Sequence, residues 1–309
     1  MKRRTRFLSV LLCLMLVFSL VLSSAAMAAV PEQGEEGSLG LTSIENARDI
    51  GGWKTEDGSK IKYGLLFRTA NLHDASDEDL ATLKGLNVKK VVDLRMGYEK
   101  LLKKNQSVPG AEYVELSPMG IPSIAVLQTD DWKNLISAIR LGVMDTYMAN
   151  MYRQLVTDPR AIEAYKQFFA ELLEMEASDA FLWHCSAGKD RTGIAAALIM
   201  AALGCDEETI KAEYARTMLY YADASEAAYA KAYKYTHIKW IANEFAAYET
   251  VKPAWLQTAL NIYARYDEGG DPVKGMRNYI RDELEVSDED IAALQARYLD
   301  SAAAEDDAA

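Results

Sequence analysis

Residues 180–203 narrow the folds open to this chain more than any other stretch. A short apolar run, Ala180-Phe181-Leu182-Trp183, leads into the polar, glycine-containing segment His184–Gly193, and then into the alanine- and leucine-rich run Ile194–Leu203. The first run has strand character and the last is built from good helix formers, so the sequence predicts a strand, a tight loop and a helix in succession. Further strand candidates are Ile61–Arg68, Val88–Leu94 and Tyr113–Leu116, with helices dominating elsewhere. Leu135, Ile139, Val143, Tyr147, Met151 and Leu155 recur at helical spacing, as do Tyr165, Phe168, Phe169 and Leu172. Two more helices are expected over Asp271–Glu283 and Val286–Tyr298, the second capped by Ser287 with acids in its first turn. The fold class is α/β.

The loop His184-Cys185-Ser186-Ala187-Gly188-Lys189-Asp190-Arg191-Thr192-Gly193 opens at a helix N-terminus. Such an end leaves backbone N–H groups without intrahelical partners and carries a partial positive charge, so it suits an anion such as phosphate. Gly188 and Gly193 allow the backbone of Ser186–Arg191 to turn tightly around the oxygens. Five residues separate Cys185 from Arg191, whose planar fork can return to the same anion and bind two of its oxygens. The thiolate is the reactive form of cysteine, and a helix N-terminus with a neighbouring cation favours it. His184 is expected to bond nearby backbone and fix the loop, and the Thr192 hydroxyl to donate to the sulfur when it acts as a leaving group.

A lone cysteine is usually inert packing. Here it adjoins a histidine and is followed by Gly-Lys-Asp-Arg, a polar stretch costly to bury without a ligand or partners. A nucleotide-binding P-loop is a poor match, since no glycine stands five residues before Gly188 and neither Ser nor Thr follows Lys189. Metal binding is weaker still, because the 3 histidines and 3 cysteines of the chain do not cluster at ligand spacings. Neither a metal nor a cofactor is expected.

The pattern His-Cys, five residues, Arg, Thr resembles the signature of the cysteine-dependent protein-tyrosine phosphatase superfamily. The Gly-Lys-Asp-Arg form of the loop is similar to a secreted bacterial branch, as are the segments Asn46–Trp53, Leu66–Leu72 and Val91–Arg95, in that order. The resemblance spans residues 40 to 300 in outline. It implies a central, mainly parallel sheet of about four to five strands flanked by helices, with additional helices forming a lid. It also implies hydrolysis of phosphomonoesters through a phosphocysteine, on phosphotyrosine, phosphoserine or phosphothreonine, or phosphoinositides. A phosphate-binding module without turnover and a rhodanese-like sulfurtransferase are the rival readings. The intact set Cys185, Asp190, Arg191 and Thr192 argues against the first, and Arg191 followed by Thr192 against the second.

Two aspartates compete to protonate the leaving group: Asp190, inside the loop, and Asp93, at the end of a predicted strand where α/β ligand crevices lie. The resemblance tips the balance towards Asp190. Asp93 has a scaffold reading as partner of Arg95 or Arg48, and Asp190 one as a helix N-terminal carboxylate. Lys189 could attract the extra phosphates of an inositol ring, raise affinity for any dianion, or lie solvated. Arg48, Asp49 and Arg68 match positions bordering the loop, where salt-bridge scaffolding is an equal reading. Ala47, Trp53 and Ala70 depart from the residues usual in these motifs, which bears on substrate fit rather than chemistry.

The N-terminus reads as a secretory signal over residues 1–28: four basic residues up to Arg6, an apolar core of about 16 residues from Phe7 to Leu22, and cleavage after Ala28. The rival is an uncleaved membrane anchor, for which the core is short. A linker over 29–39, a phosphatase domain over 40–300 and a disordered acidic tail over 301–309 complete the layout. The net charge of −12 becomes more negative once the leader is removed, which argues against nucleic acid as a partner. The processed chain is expected to be secreted, with no stable membrane insertion. Cys185 and Cys205 lie at opposite ends of a predicted helix, too far apart to pair, so Cys185 stays free and Cys205 is packing. The Ala-, Tyr- and Lys-rich segment Asp223–Glu249 is the lid candidate, with an ordinary packed helix as the alternative.

Overall fold

A computed structural model describes residues 37–120 and 143–300. The leader, the first part of the linker, Leu135 and Ile139 of the first stripe, and the C-terminal tail lie outside the described residues.

In chain order the elements are β1 (Arg48–Asp49), β2 (Lys60–Ile61), β3 (Leu66–Thr69), α1 (Asp77–Gly85), β4 (Val88–Asp93), α2 (Gly97–Leu102), β5 (Glu112–Glu115), α3 (Val143–Thr157), α4 (Pro159–Leu173), β6 (Ala180–His184) and α5 (Asp190–Leu203). There follow α6 (Glu207–Ala215), α7 (Thr217–Tyr220), α8 (Ala222–Thr236), α9 (Lys239–Glu249), α10 (Pro253–Tyr263), α11 (Pro272–Asp282), α12 (Asp288–Tyr298) and β7 (Leu299–Asp300). The main sheet has 5 strands in the order β1-β3-β6-β4-β5, parallel except where β1 meets β3. This is the mixed α/β fold expected from the sequence.

Strand β6 lies at the centre, and all of its residues are buried. Its side chains alternate between two cores: Phe181 and Trp183 join the larger, with Tyr165, Phe168 and the length of α5, while Ala180 and Leu182 join the smaller, with Leu80 and Leu83 of α1. Every residue of α5 after Asp190 is buried, because the helix is largely apolar and is enclosed by the sheet and by α3, α6, α11 and α12. The parallel strands β3, β6 and β4 all end at one edge, where the segments after Thr69, His184 and Asp93 converge. That edge holds the site.

Three expectations shift in detail. Ile61–Arg68 is two strands rather than one: Gly64 adopts φ 84° and donates its N–H to the Asp49 carboxylate at 2.5 Å, which turns the chain between β2 and β3. Strand β2 then pairs with β7 in a separate two-stranded ribbon. The apolar stripe of α3 is rotated by about one residue, with Met148, Tyr152, Leu155 and Val156 buried while Tyr147 and Met151 are partly buried. Tyr152 can lie inside because its hydroxyl has buried partners. The end of the expected linker packs against the sheet: Ser38 bridges Arg48 and Leu39 is buried. The stripe of α4 is buried as expected, and Ser287 caps α12 by accepting from the N–H of Asp290.

Gly275 fixes how α11 meets α10, because a Cβ there would lie 2.0 Å from the Tyr263 carbonyl oxygen. Gly275→Ala is expected to cost about 1–3 kcal/mol of stability by overpacking. Urea titration would read this as a lower midpoint, and an unchanged midpoint would mean that the two helices separate freely.

Candidate active site

The loop between β6 and α5 is held by the carbonyl oxygens on its outer side. Asn71 donates to Ser186 O through both its side chain (2.7 Å) and its backbone N–H (3.1 Å). The Tyr221 hydroxyl donates to Ala187 O at 2.8 Å, and Asn46 Nδ2 to Ala187 O at 3.1 Å and Gly188 O at 2.9 Å. Arg68 Nη2 reaches Gly188 O at 2.7 Å. A peptide whose C=O is fastened on one side presents its N–H to the other. Among the described residues, the N–H groups of Ser186, Ala187 and Gly188 have no acceptor. Gly188 is required here twice over: its φ is 62°, and a Cβ would lie 2.4 Å from Thr69 O.

Beneath this loop Arg48, Arg68 and Glu213 form a buried ion triad, with Arg48 Nε 2.8 Å and Arg68 Nη1 2.6 Å from the two Glu213 oxygens. Burial pulls the Arg68 pKa down to about 10, with Arg48 adding to the shift. The Glu213 carboxyl is raised by burial but brought below its ordinary range by the two arginines. Arg48 and Arg68 thus take the scaffolding role.

Cys185 is buried at the foot of the loop, 2% exposed, and is not in a disulfide. His184 is fully buried. Its Nδ1 lies 3.0 Å from Cys185 O, and its Nε2 3.0 Å from Asn105 Nδ2, which assigns the proton to Nδ1. Burial keeps its pKa below the ordinary imidazole range, so it is a neutral brace. Thr192 is buried too, yet its Oγ1 has no hydrogen-bond partner, so the expected bond to the sulfur is not formed in this state. Cys205 is buried in the core, and burial pushes its thiol up to about 12.

Arg191 is gripped by a residue that carries no signal of its own in the sequence. Glu99, in the first turn of α2, accepts from Arg191 Nη1 at 2.6 Å and Nη2 at 2.8 Å. It also accepts from the Ser186 hydroxyl and from the N–H of Met96 at 2.8 Å. Arg191 Nη1 donates further to Leu94 O at 3.3 Å. Burial alone would lower the Arg191 pKa, but the charges of Cys185, Glu99 and Asp190 outweigh it and hold the guanidinium protonated. Of the five guanidinium donors, Nε–H and one N–H of Nη2 keep no described partner, and these two form the side fork.

The two aspartates occupy different settings. Asp190 is the first residue of α5 and accepts from the Tyr152 hydroxyl at 2.8 Å, which lies 2.6 Å from the Tyr214 hydroxyl. Gly193 makes room for this pair, since a Cβ would stand 3.1 Å from the Tyr214 ring. Asp93 is 3% exposed and faces a partner at almost every lone pair: the N–H of Arg95 at 3.0 Å, Arg95 Nε at 2.9 Å and Nη2 at 2.7 Å, and Asn105 Nδ2 at 3.1 Å. Burial would raise the Asp93 carboxyl, but the hydrogen bonds and charge of Arg95 beside it hold it below the ordinary range.

Lys189 is turned away from the roles weighed for it. Its ammonium donates to the carbonyls of Tyr248 (2.7 Å) and Glu249 (3.3 Å) at the C-terminus of α9, and lies 5.3 Å from the centroid of the Tyr248 ring. It is therefore neither solvated nor a free second cation. Tyr147 and Tyr248 lie close enough to Asp190 to feel its charge. Burial raises both phenols, Tyr248 to about 12, and Asp190 adds to each shift.

The structure thus gathers Cys185, the loop N–H groups, Asp190, Arg191 and Thr192 at the N-terminus of one helix, with Asp93 bonded to Arg95 and Asn105 and Lys189 to the carbonyls that end α9. Among the described residues, no group of three or more His, Cys, Asp or Glu side chains is placed to hold a metal ion.

Comparison with known proteins agrees with this geometry. The family model described as "Tyrosine phosphatase family" matches residues 39–300. A Cupriavidus necator protein that carries a tyrosine-protein phosphatase name is 31% identical over 283 residues, covering 89% of this chain and 92% of that protein. The triple specificity protein phosphatase PtpB of Mycobacterium tuberculosis is 32% identical over 191 residues, 56% of this chain and 66% of that protein. A tyrosine-protein phosphatase of Nostoc commune is 28% identical over 160 residues, 50% of this chain and 49% of that protein. With most of its length matched and its cysteine, arginine and helix N-terminus assembled around one loop, the chain belongs to the tyrosine phosphatase family and is a protein-tyrosine phosphatase.

Proposed function

We propose that this phosphatase works by double displacement on Cys185. The substrate phosphate sits on the N–H groups of Ser186–Arg191 and on the side fork of Arg191. The Cys185 sulfur attacks phosphorus, an S–P bond forms, and the bond to the leaving oxygen breaks. Asp190 gives that oxygen its proton. Water then attacks the phosphocysteine, Asp190 takes back a proton, and inorganic phosphate leaves as the S–P bond breaks. The Thr192 hydroxyl, unpartnered in the resting state, is the donor available to the departing sulfur. His184 and Gly193 support the loop. The observation that carries this reading is the free side fork of Arg191, beside an array of inward N–H groups at the cysteine.

Asp190 is chosen over Asp93 on chemical grounds. A general acid must be able to release its carboxyl to the substrate, and Asp93 is tied up by four donor contacts, whereas Asp190 has the Tyr152 hydroxyl as its one described hydrogen-bond donor.

The buried foot of the site and its tyrosine rim, Tyr147 and Tyr248, suit a long aryl phosphate, which makes phosphotyrosine the first substrate. Phosphoserine, phosphothreonine and phosphoinositides are further substrates on this reading, supported by the name of the mycobacterial relative. The enzyme acts outside the producing cell. The leader of residues 1–28 supports this, with cleavage after Ala28, a linker over 29–39, the catalytic domain over 40–300 and an acidic tail over 301–309. No helix of the described residues is long and apolar enough to cross a membrane. The hairpin of α8 and α9 is the lid: it has a small core of its own in Ala232, Ile241, Ala242 and Phe245, and its base is fastened to the loop through Tyr221 and Lys189.

Hydrolysis of an aryl phosphate by the chain is expected to continue in EDTA and to disappear in Cys185→Ser. Activity surviving that change, or lost with the chelator, would overturn the mechanism. Asp190→Asn is expected to slow esters with poor leaving groups by roughly 10²–10⁴-fold while sparing those with good ones. Asp93→Asn should instead lower the unfolding midpoint, with no dependence on leaving group. The reverse pattern in kcat against leaving-group basicity would make Asp93 the acid.

A further inference from the structure

The α8–α9 hairpin has two unlike ends. Its base touches the catalytic loop through the Tyr221 hydroxyl on Ala187 O and Lys189 on the carbonyls of Tyr248 and Glu249. Its tip, where His237 turns the chain at φ 55°, lies one helix length away, about 22 Å for the 15 residues of α8 at 1.5 Å each. Three of the six exposed large apolar side chains among the described residues lie at this tip, and all three are aromatic: Tyr233 is 37%, Tyr235 63% and Trp240 50% exposed. Lys231, Lys234 and Lys239 are exposed among them. From residue 227 to residue 243 there is no Asp or Glu, in a chain whose net charge is −12. The stretch carries three lysines and no acid.

We propose that the tip of the α8–α9 hairpin is a docking surface for an anionic lipid bilayer. Trp and Tyr rings are apolar in the body and polar at one edge, and they settle at the headgroup layer of a membrane. Lysines bury their stems and keep their charges at that same level. An acidic protein is repelled by an anionic surface everywhere except at such a basic element, so the charge pattern also sets which end approaches. A nucleic acid fits less well, since the tip has no arginine and the rest of the chain repels a polyanion. The core of the hairpin stays filled by Ala232, Ile241, Ala242 and Phe245 when the tip is engaged, so docking needs no unfolding. Engagement would bring the catalytic loop within about one helix length of the lipid surface.

All buried residues among those described lie between Leu39 and Tyr298, so the chain from Ala29 onward keeps its core and lacks the apolar leader that would itself bind lipid. This chain is expected to sediment with vesicles of phosphatidylcholine containing one part in three phosphatidylserine, and not with phosphatidylcholine alone. Each lysine near such a surface is worth about fivefold in partition, so replacing Lys231, Lys234 and Lys239 together by Gln should weaken binding on the order of a hundredfold. High salt should have the same sense of effect. The double variant Tyr235→Ser Trp240→Ser should also release the protein from vesicles, with retained hydrolysis of a soluble aryl phosphate reporting an intact fold. Equal sedimentation with both vesicle types, none with either, or undiminished binding of both variants would overturn the proposal. So would a self-association lost in the same variants without any vesicle binding. Because the readout is lipid binding, it stands or falls apart from the catalytic mechanism.

Discussion

Glu213 is the buried carboxylate on which the catalytic loop rests. It sits between Arg48 and Arg68, both fully buried, and Arg68 carries the contact onward to Gly188 O. Two cations and one anion leave a surplus positive charge under the loop. In isolation that would be a poor arrangement, since buried ions give back in desolvation much of what they gain in attraction. It is tolerable where an anion arrives on the other side of a thin layer of backbone. Removing the carboxylate would strand two buried guanidinium groups, a loss of about 3–5 kcal/mol by the usual cost of breaking a buried pair. It would also free Arg68 from the geometry that keeps Gly188 O turned outward. Stability and the geometry of the loop are therefore carried by the same side chain, which links β1 and β3 to α6.

How much could be read beforehand follows from how far each feature extends along the chain. The strand β6, the loop and α5 are contiguous, and their order of apolar run, glycine-containing turn and apolar helix is local information, so they were legible. The break between β2 and β3 was not. Gly64 is one glycine in a run of strand formers, and what makes it a turn is Asp49, fifteen residues earlier in the chain. Glu99 and Glu213 were missed for the same reason. A lone glutamate on a short helix has no sequence signal, and both acquire their roles only when α2 and α6 are brought to the strand ends. Asp93 and Asp190 could both be named from sequence, with the resemblance favouring Asp190, but the different number of donors around each carboxylate could not be read there.

Lys189 illustrates the limit most clearly. Read in sequence, a cation between Gly188 and Asp190 is expected to face the anion. Folded, it serves the C-terminus of α9, where free carbonyls and the negative end of a helix attract a cation. The same residue therefore tells the loop where the hairpin is. A substrate with a second phosphate near the mouth would compete with two carbonyl oxygens and the Tyr248 ring for that ammonium, and such a competition would loosen one fastening of the hairpin base.

Arg191 raises the opposite question, whether a guanidinium already held by a carboxylate can still bind phosphate. The donor geometry answers it. Glu99 takes one N–H from Nη1 and one from Nη2, which is the end-on fork, and Leu94 O takes the second N–H of Nη1. What is left is Nε–H with the remaining N–H of Nη2, two parallel donors on the side of the group. In the proposed binding mode phosphate and Glu99 use different edges of one plane, and the carboxylate fixes that plane without occupying its other edge. Because Glu99 also accepts from Ser186, the loop and the arginine are set by one anchor. A carboxylate of lower affinity at that position would cost orientation before it cost charge, so the pocket is better described as pre-aligned by Glu99 than as blocked by it.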